Sequence, residues 1–85
     1  MKSTLKILFA DDDFKYSLVL KRFLEREGYE VTYTGNGTMA LKQFPVVKPD
    51  LVLLDINMPG LNGFEVAEKI REQDRHDLFP FRPFR

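Results

Sequence analysis

Two short apolar runs constrain the fold of this 85-residue chain, because aspartates follow both of them. The runs span residues 7–10 and 51–54, and the aspartates are Asp11, Asp12, Asp13 and Asp55. Continuously apolar runs of this length are typical of parallel strands that are buried on both faces. Two strands that each stop in carboxylates can place them together at one edge of a sheet, where like charges repel strongly. We therefore predict a chemical site at this edge, one that holds a divalent cation or serves another function.

Apolar residues at helical spacing predict three helices that follow the strands. The inward residues are Tyr16, Val19, Leu20, Phe23 and Leu24 in the first helix, Ala40, Leu41 and Phe44 in the second, and Val66, Ala67 and Ile70 in the third. Asp13 fits the N-cap of the first helix, and Gly28 fits the position just past its end. Pro45 is expected to end or bend the second helix, and the third is expected to reach about Gln73.

A further strand is predicted from Glu30 to Thr34, where apolar and polar residues alternate as in an edge strand. The order of elements is then βαβαβα, which favours an α/β fold with a parallel sheet and right-handed crossovers. Ligands of such sheets bind outside the carboxyl ends of the strands. Asp11, Asp12 and Asp55 lie at those ends, so the predicted fold and the predicted site agree.

Composition narrows the functional classes. The chain has 13 basic and 13 acidic residues, and this neutral balance argues against binding nucleic acid through overall charge. It has no cysteine, which excludes disulfides and thiolate metal sites. No apolar run reaches the roughly 18 residues of a membrane span, so we expect no membrane partner and a cytoplasmic location.

Carboxylates at two strand ends suit two kinds of chemistry. Mg²⁺ prefers oxygen ligands and usually takes one or two carboxylates, so Asp11, Asp12 and Asp55 can supply a site. A carboxylate can also attack phosphorus as a nucleophile and form an aspartyl phosphate. The simpler interpretation is that the acidic triplet is a solvated turn and that Asp55 forms a turn or caps a helix. The occurrence of acidic residues at both strand ends favours a functional site.

The same residues resemble the receiver domain of two-component response regulators. The resemblance rests on the acidic run after the first strand, on Asn36-Gly37, and on the segment from Lys48 to Pro59. Gly63 completes the signature Asp-x-x-Met-Pro-x-x-x-Gly that begins at Asp55. The similarity extends over residues 5 to about 75.

The resemblance implies a flavodoxin-like fold with strand order 2-1-3 and a signalling role rather than that of an enzyme acting on other substrates. Asp55 is then the expected phosphoacceptor, which takes a phosphoryl group from a sensor histidine kinase, a phosphotransfer protein or a small phosphodonor. The implied ligands of Mg²⁺, or of Mn²⁺, are Asp11, Asp12, Asp55 and the backbone carbonyl of Asn57.

The chain departs from the family after its third helix. The resemblance implies further strands that carry a phosphate-contacting Ser or Thr and a Lys, but no Ser, Thr or Lys follows Lys69. We therefore expect a truncated receiver domain over residues 1–76 and an atypical tail rich in Phe, Pro and Arg over 77–85. Phosphorylation is expected to survive this loss better than switching does.

A missing fourth strand would leave the third strand, residues 51–54, as an apolar edge of the sheet. We expect such an edge to drive self-association of the chain. The alternative is that Leu78 to Phe81 lie along this edge, where Pro80 is tolerable.

Two other functions stay open from the sequence. The chain can be a non-signalling, self-associating fragment whose site is a relic. It can also be a fragment of a phosphatase similar to the haloacid dehalogenases, although those need Asp-x-Asp and Asn57 stands where the second aspartate belongs. The short tail is too weakly charged to predict nucleic-acid or membrane binding.

Overall fold

The computed structural model describes residues 4–73 and 81–84. The elements are β1 (Lys6–Ala10), α1 (Phe14–Arg26), β2 (Glu30–Thr34), α2 (Gly37–Val47), β3 (Leu51–Asp55), α3 (Gly63–Gln73) and β4 (Phe81–Phe84). The strands pair in parallel in one sheet, in the order β2-β1-β3-β4. The predicted α/β class and the predicted order 2-1-3 are confirmed. Within the described ranges, no helix combines the length and the apolar character that a membrane crossing requires.

The ends of α1 follow the predicted local signals. The Asp13 side chain accepts a hydrogen bond from the Tyr16 backbone N–H at 3.1 Å, which is the N-cap interaction. Gly28, two residues past the helix, has a φ of 101°, a conformation that glycine adopts without steric cost.

The prediction for Pro45 is wrong where it expected the second helix to end there. The helix continues through Pro45 to Val47 and closes at Lys48, which has a left-handed φ of 51°. Pro45 removes one N–H from the helix, but only two further helical residues, Val46 and Val47, follow it.

Strand β4 shows that the expectation of no strand in the C-terminal segment is wrong. The sequence predicts no strand in residues 77–85, yet Phe81–Phe84 pairs with β3, with Val52 opposite Phe81 and Asp55 opposite Phe84. Parallel pairing uses backbone groups, so it does not require the alternation of polar and apolar side chains that identifies a half-buried strand. Pro83 is compatible with the strand because β4 lies at an edge of the sheet.

The prediction that β3 is an exposed edge is therefore wrong, and self-association through paired third strands loses its structural basis. The alternative that the tail covers β3 is correct in kind, although the paired residues are 81–84. Residues 77–80 lie outside the described residues, and the proposed boundary at residue 76 stays a prediction.

The sheet separates two apolar clusters. The larger cluster lies between the sheet and helices α2 and α3. It contains all the inward residues that were predicted for these helices except Leu41, which is partly buried and packs against it. Its fully buried strand residues include Leu8 and Val52. The smaller cluster lies under α1 and is built around Ile7, Phe9 and Val31.

Helix α1 buries a narrower face than predicted. Leu20 and Leu24 pack on the sheet, as expected. Tyr16, Val19 and Phe23, in contrast, are 44%, 68% and 55% exposed. Helical spacing identifies which residues share a face of a helix, but it does not say how much of that face a neighbouring element covers.

Gly63, the first residue of α3, allows this helix to start directly behind the end of β3. A Cβ atom at this position would lie 2.6 Å from the Asp55 carbonyl oxygen. Such a distance is far inside van der Waals contact, and the opposing atom belongs to the main chain and cannot rotate away. The final glycine of the motif is therefore required by packing against Asp55.

Gly63→Ala should lower the free energy of unfolding by about 1–3 kcal/mol, since either α3 or the end of β3 must move. Gly35→Ala is the matched control, because its Cβ would meet only the Tyr33 hydroxyl at an ordinary 3.8 Å. Urea unfolding measures both. Equal stability of the Gly63 variant and the wild type would contradict the close approach.

Candidate functional site

The two buried carboxylates of the site follow from the register of β1 and β3. Ala10 pairs with Leu54, so the next residues, Asp11 and Asp55, emerge side by side at the carboxyl ends of adjacent strands. Both are fully buried. Asp12 lies beside them and is exposed, so it borders the opening to solvent.

These three aspartates form one cluster. Each offers a carboxylate oxygen, and these oxygens all lie within 4.8 Å of one another. The structure thus brings together Asp11, Asp12 and Asp55, as the sequence predicts. Asp13, which was not predicted as a ligand, serves as the N-cap of α1.

Backbone amides from the following loops orient the buried carboxylates. The Asp13 N–H donates to Asp11 Oδ1 at 2.9 Å, and the Asn57 N–H donates to Asp55 Oδ1 at 3.1 Å. Both bonds join an aspartate to the second residue after it, which is the local turn that aspartate favours. They also keep Asn57, the remaining predicted ligand residue, in the loop beside Asp55.

The loop after β3 is held by the packing of Met58 and by a hydrogen bond to the start of α3. Met58 is 5% exposed and belongs to the larger apolar cluster. The Gly63 N–H donates to the Ile56 carbonyl at 3.1 Å and closes the loop against α3. Packing therefore explains the methionine of the motif, while the acidic portion remains for chemistry.

Tyr33 is a site residue that sequence reasoning missed. The alternation of polar and apolar residues from Glu30 to Thr34 marks Tyr33 only as an apolar strand position, but its hydroxyl donates to the main-chain carbonyl of Asp11 at 2.6 Å. Its ring lies 5.6 Å from that of Phe9 and 6.3 Å from that of Phe14, measured between centroids. A signal was available, because a tyrosine near the end of a strand has a polar group to place among apolar neighbours.

Burial raises the pKa of Tyr33 above its ordinary value of 10.0. The nearby Ser17 hydroxyl acts in the opposite direction, and the negative charges of the acidic run 11–13 raise the pKa further. Ser17 is itself fully buried, and its hydroxyl completes no hydrogen bond of good geometry within the described residues.

The donor set defines the chemistry that the site can support. Three carboxylates within 4.8 Å present only oxygen, which suits a hard divalent cation such as Mg²⁺ and does not suit a thiophilic metal. Without a cation, the same crowding of negative charge disfavours the folded state. The residues present therefore fit a bound Mg²⁺ ion.

Comparison with known proteins agrees with this geometry. The family model described as the response regulator receiver domain matches residues 7–79. The alkaline phosphatase synthesis transcriptional regulatory protein PhoP of Bacillus subtilis is 43% identical over 68 residues, which cover 80% of this chain and 28% of that protein. The chain thus spans well under a third of the length of this curated relative.

Solved structures show the same similarity. Chemotaxis protein CheY4 of Vibrio cholerae superimposes with a TM-score of 0.87 at 29% identity, covering 93% of this chain and 66% of the other. Response regulator TrrA of Thermotoga maritima, in complex with Mg²⁺-BeF, is 45% identical with a TM-score of 0.78, covering 84% and 62%. TrrA in complex with histidine kinase ThkA is also similar, with a TM-score of 0.80 at 42% identity and coverage of 91% and 66%.

The chain belongs to the response regulator receiver domain family. Domains of this family are the phosphoacceptor modules of two-component signalling. They bind Mg²⁺ in an acidic pocket, and the aspartate cluster lies where such a pocket is expected.

Asp12→Asn should raise the free energy of unfolding of the metal-free protein by up to about 1 kcal/mol, because it removes one of three crowded like charges. Glu68→Gln, on the exposed side of α3, removes the same charge outside the cluster and serves as the control. Urea unfolding in the presence of a chelator measures the change. An Asp12 variant that gains no more than the Glu68 variant would argue against repulsion within the cluster.

The stability contributed by Tyr33 should depend on pH. The raised pKa means that the folded protein holds the phenol proton more tightly than the unfolded chain does. This contribution is complete below the unfolded value near pH 10 and is lost as the pH rises through the folded pKa. The stability difference between the wild type and Tyr33→Phe should therefore shrink from about pH 9 to about pH 11 in metal-free urea unfolding. A difference that grows over this interval would contradict the direction of the shift.

Proposed function

We propose that Asp55 is the phosphoacceptor of this receiver domain. The observation that carries the proposal is the burial of the Asp55 carboxylate beside Asp11 and within 4.8 Å of oxygens from both other aspartates. A carboxylate oxygen of Asp55 would attack phosphorus and form the new P–O bond. The bond from phosphorus to the donor then breaks, and the donor group leaves with the electron pair.

The cluster would hold Mg²⁺, or Mn²⁺, through Asp11, Asp12, Asp55 and the Asn57 backbone carbonyl. A cation bound there would neutralise charge on the phosphoryl group during transfer. The residues of the site position the reacting carboxylate and its neighbours. The amides of Asp13 and Asn57 fix the two buried carboxylates before the donor arrives.

The partner that we propose is a sensor histidine kinase or a phosphotransfer protein, in the cytoplasm. The support is the similarity to TrrA, which has been solved in complex with histidine kinase ThkA. The haloacid dehalogenase alternative is not supported, because the family match and the parallel 2-1-3 order both fit a receiver domain.

Incubation with acetyl phosphate and Mg²⁺ should give a phosphoryl adduct that intact-mass spectrometry detects and that Asp55→Asn abolishes. The amide is a far weaker nucleophile than the carboxylate, and its shape is almost the same. Asp13→Asn is the matched control, since it removes a neighbouring charge and retains an N-cap residue. An adduct that persists in the Asp55 variant would place the acceptor elsewhere, and no adduct in the folded wild type would refute the proposal.

A further inference from the structure

We infer that Tyr33 is a positioning residue that sets the Mg²⁺ affinity of the aspartate cluster, an inference that rests on the proposed function. The Tyr33 hydroxyl reaches from β2 to the loop after β1 and donates to the main-chain carbonyl of Asp11 at 2.6 Å. That distance is at the short end for a bond between a hydroxyl and a carbonyl oxygen. Tyr33 acts on the backbone that carries the ligands and is not a ligand itself.

The Tyr33 hydrogen bond is one of two that hold the main chain of Asp11, and we call this pair of bonds the clamp. The Asp11 backbone N–H donates to the Thr34 carbonyl at 3.2 Å, and the Asp11 carbonyl accepts from Tyr33. Both polar groups of the Asp11 main chain are thereby tied to consecutive residues of β2. The first bond extends the pairing of the two strands, whereas the second depends on the identity of one side chain.

The clamp acts where repulsion would move the chain. Asp11 and Asp12 are successive residues whose carboxylates must both stay close to Asp55. Without a cation their like charges favour an outward displacement of this loop. A fixed carbonyl between the two side chains opposes that displacement, so less free energy is needed to assemble the ligands when the ion binds.

Aromatic contacts fix the position of the Tyr33 phenol. Its ring contacts the rings of Phe9, which is fully buried, and Phe14. The neighbouring Gly35 leaves the hydroxyl uncrowded, since even a Cβ there would lie 3.8 Å away. Groups that orient metal ligands from outside the coordination sphere typically change affinity by about 10- to 100-fold when removed. We expect the lower end here, because Tyr33 holds the main chain rather than a ligand atom.

The test compares the full chain with Tyr33→Phe, which keeps the ring and removes only the hydroxyl. The initial rate of phosphorylation by acetyl phosphate is followed over a range of Mg²⁺ concentrations. The half-saturating Mg²⁺ concentration should rise about tenfold, while the rate at saturating Mg²⁺ should stay at the wild-type value. Mn²⁺ binding, followed by electron paramagnetic resonance without a phosphodonor, should weaken by a similar factor.

Tyr29→Phe is the control, since Tyr29 precedes β2 at the opposite end from the cluster and its phenol is 37% exposed. It should leave both measurements unchanged. Equal half-saturation and equal Mn²⁺ affinity in the wild type and the Tyr33 variant would overturn the inference and leave the proposed function standing. A lower rate at saturating Mg²⁺ with unchanged half-saturation would also overturn it, in favour of a purely structural role. Failure of the wild type to bind Mn²⁺ and to react would overturn both.

Discussion

The parallel pairing of β1 with β3 is the constraint on which the site depends. One register, with Ala10 opposite Leu54, makes Asp11 and Asp55 neighbours where the two strands stop. The strands are held in that register by apolar residues on both faces of the sheet, including the fully buried Leu8 and Phe9. A shift of one residue would exchange the faces of all these side chains, so the burial that stabilises the sheet also fixes the distance between the carboxylates.

That arrangement places like charges together, and the fold limits the cost by local hydrogen bonding. Each buried carboxylate accepts a hydrogen bond from a backbone amide of its own loop, and the Asp11 carbonyl accepts one from the Tyr33 hydroxyl. Hydrogen bonds to charged groups are stronger than those between neutral groups, so the two amide bonds to the carboxylates offset part of their desolvation. The remaining repulsion favours cation binding, which links the occupancy of the site to the stability of the domain.

The parts of the fold that depend on local chemistry were predictable from the sequence. The bounds of β2, the N-cap at Asp13 and the position of Gly28 just past the end of α1 match, because each is set by residues within a few positions. The aspartate cluster was also predictable, since parallel strands bring their carboxyl ends to one edge.

The features that the sequence did not predict depend on contacts between residues that are distant along the chain. Strand β4 forms through backbone pairing with β3, which leaves no periodic signal in residues 81–84. Val19 and Phe23 share the apolar side of α1, but no described element covers them enough to bury them. Tyr33 fits the sequence pattern of a half-buried strand residue. Only the distance from its hydroxyl to the Asp11 carbonyl shows that it forms a hydrogen bond there. These are properties of pairs of residues, and the type of either residue alone does not specify them.

The two flanks of Asp55 therefore differ in chemistry. On the β1 side lie the two other aspartates of the cluster and, behind them, the hydroxyl of Tyr33. On the β4 side, Phe84 is the backbone pairing partner of Asp55. Among the described residues, the polar groups that the structure places at the Asp55 carboxylate come from the β1 side and from the loop after β3. Under the proposed function, the positions of the Asp11 and Asp12 carboxylates, together with the cation they would hold, then decide how well this domain accepts a phosphoryl group.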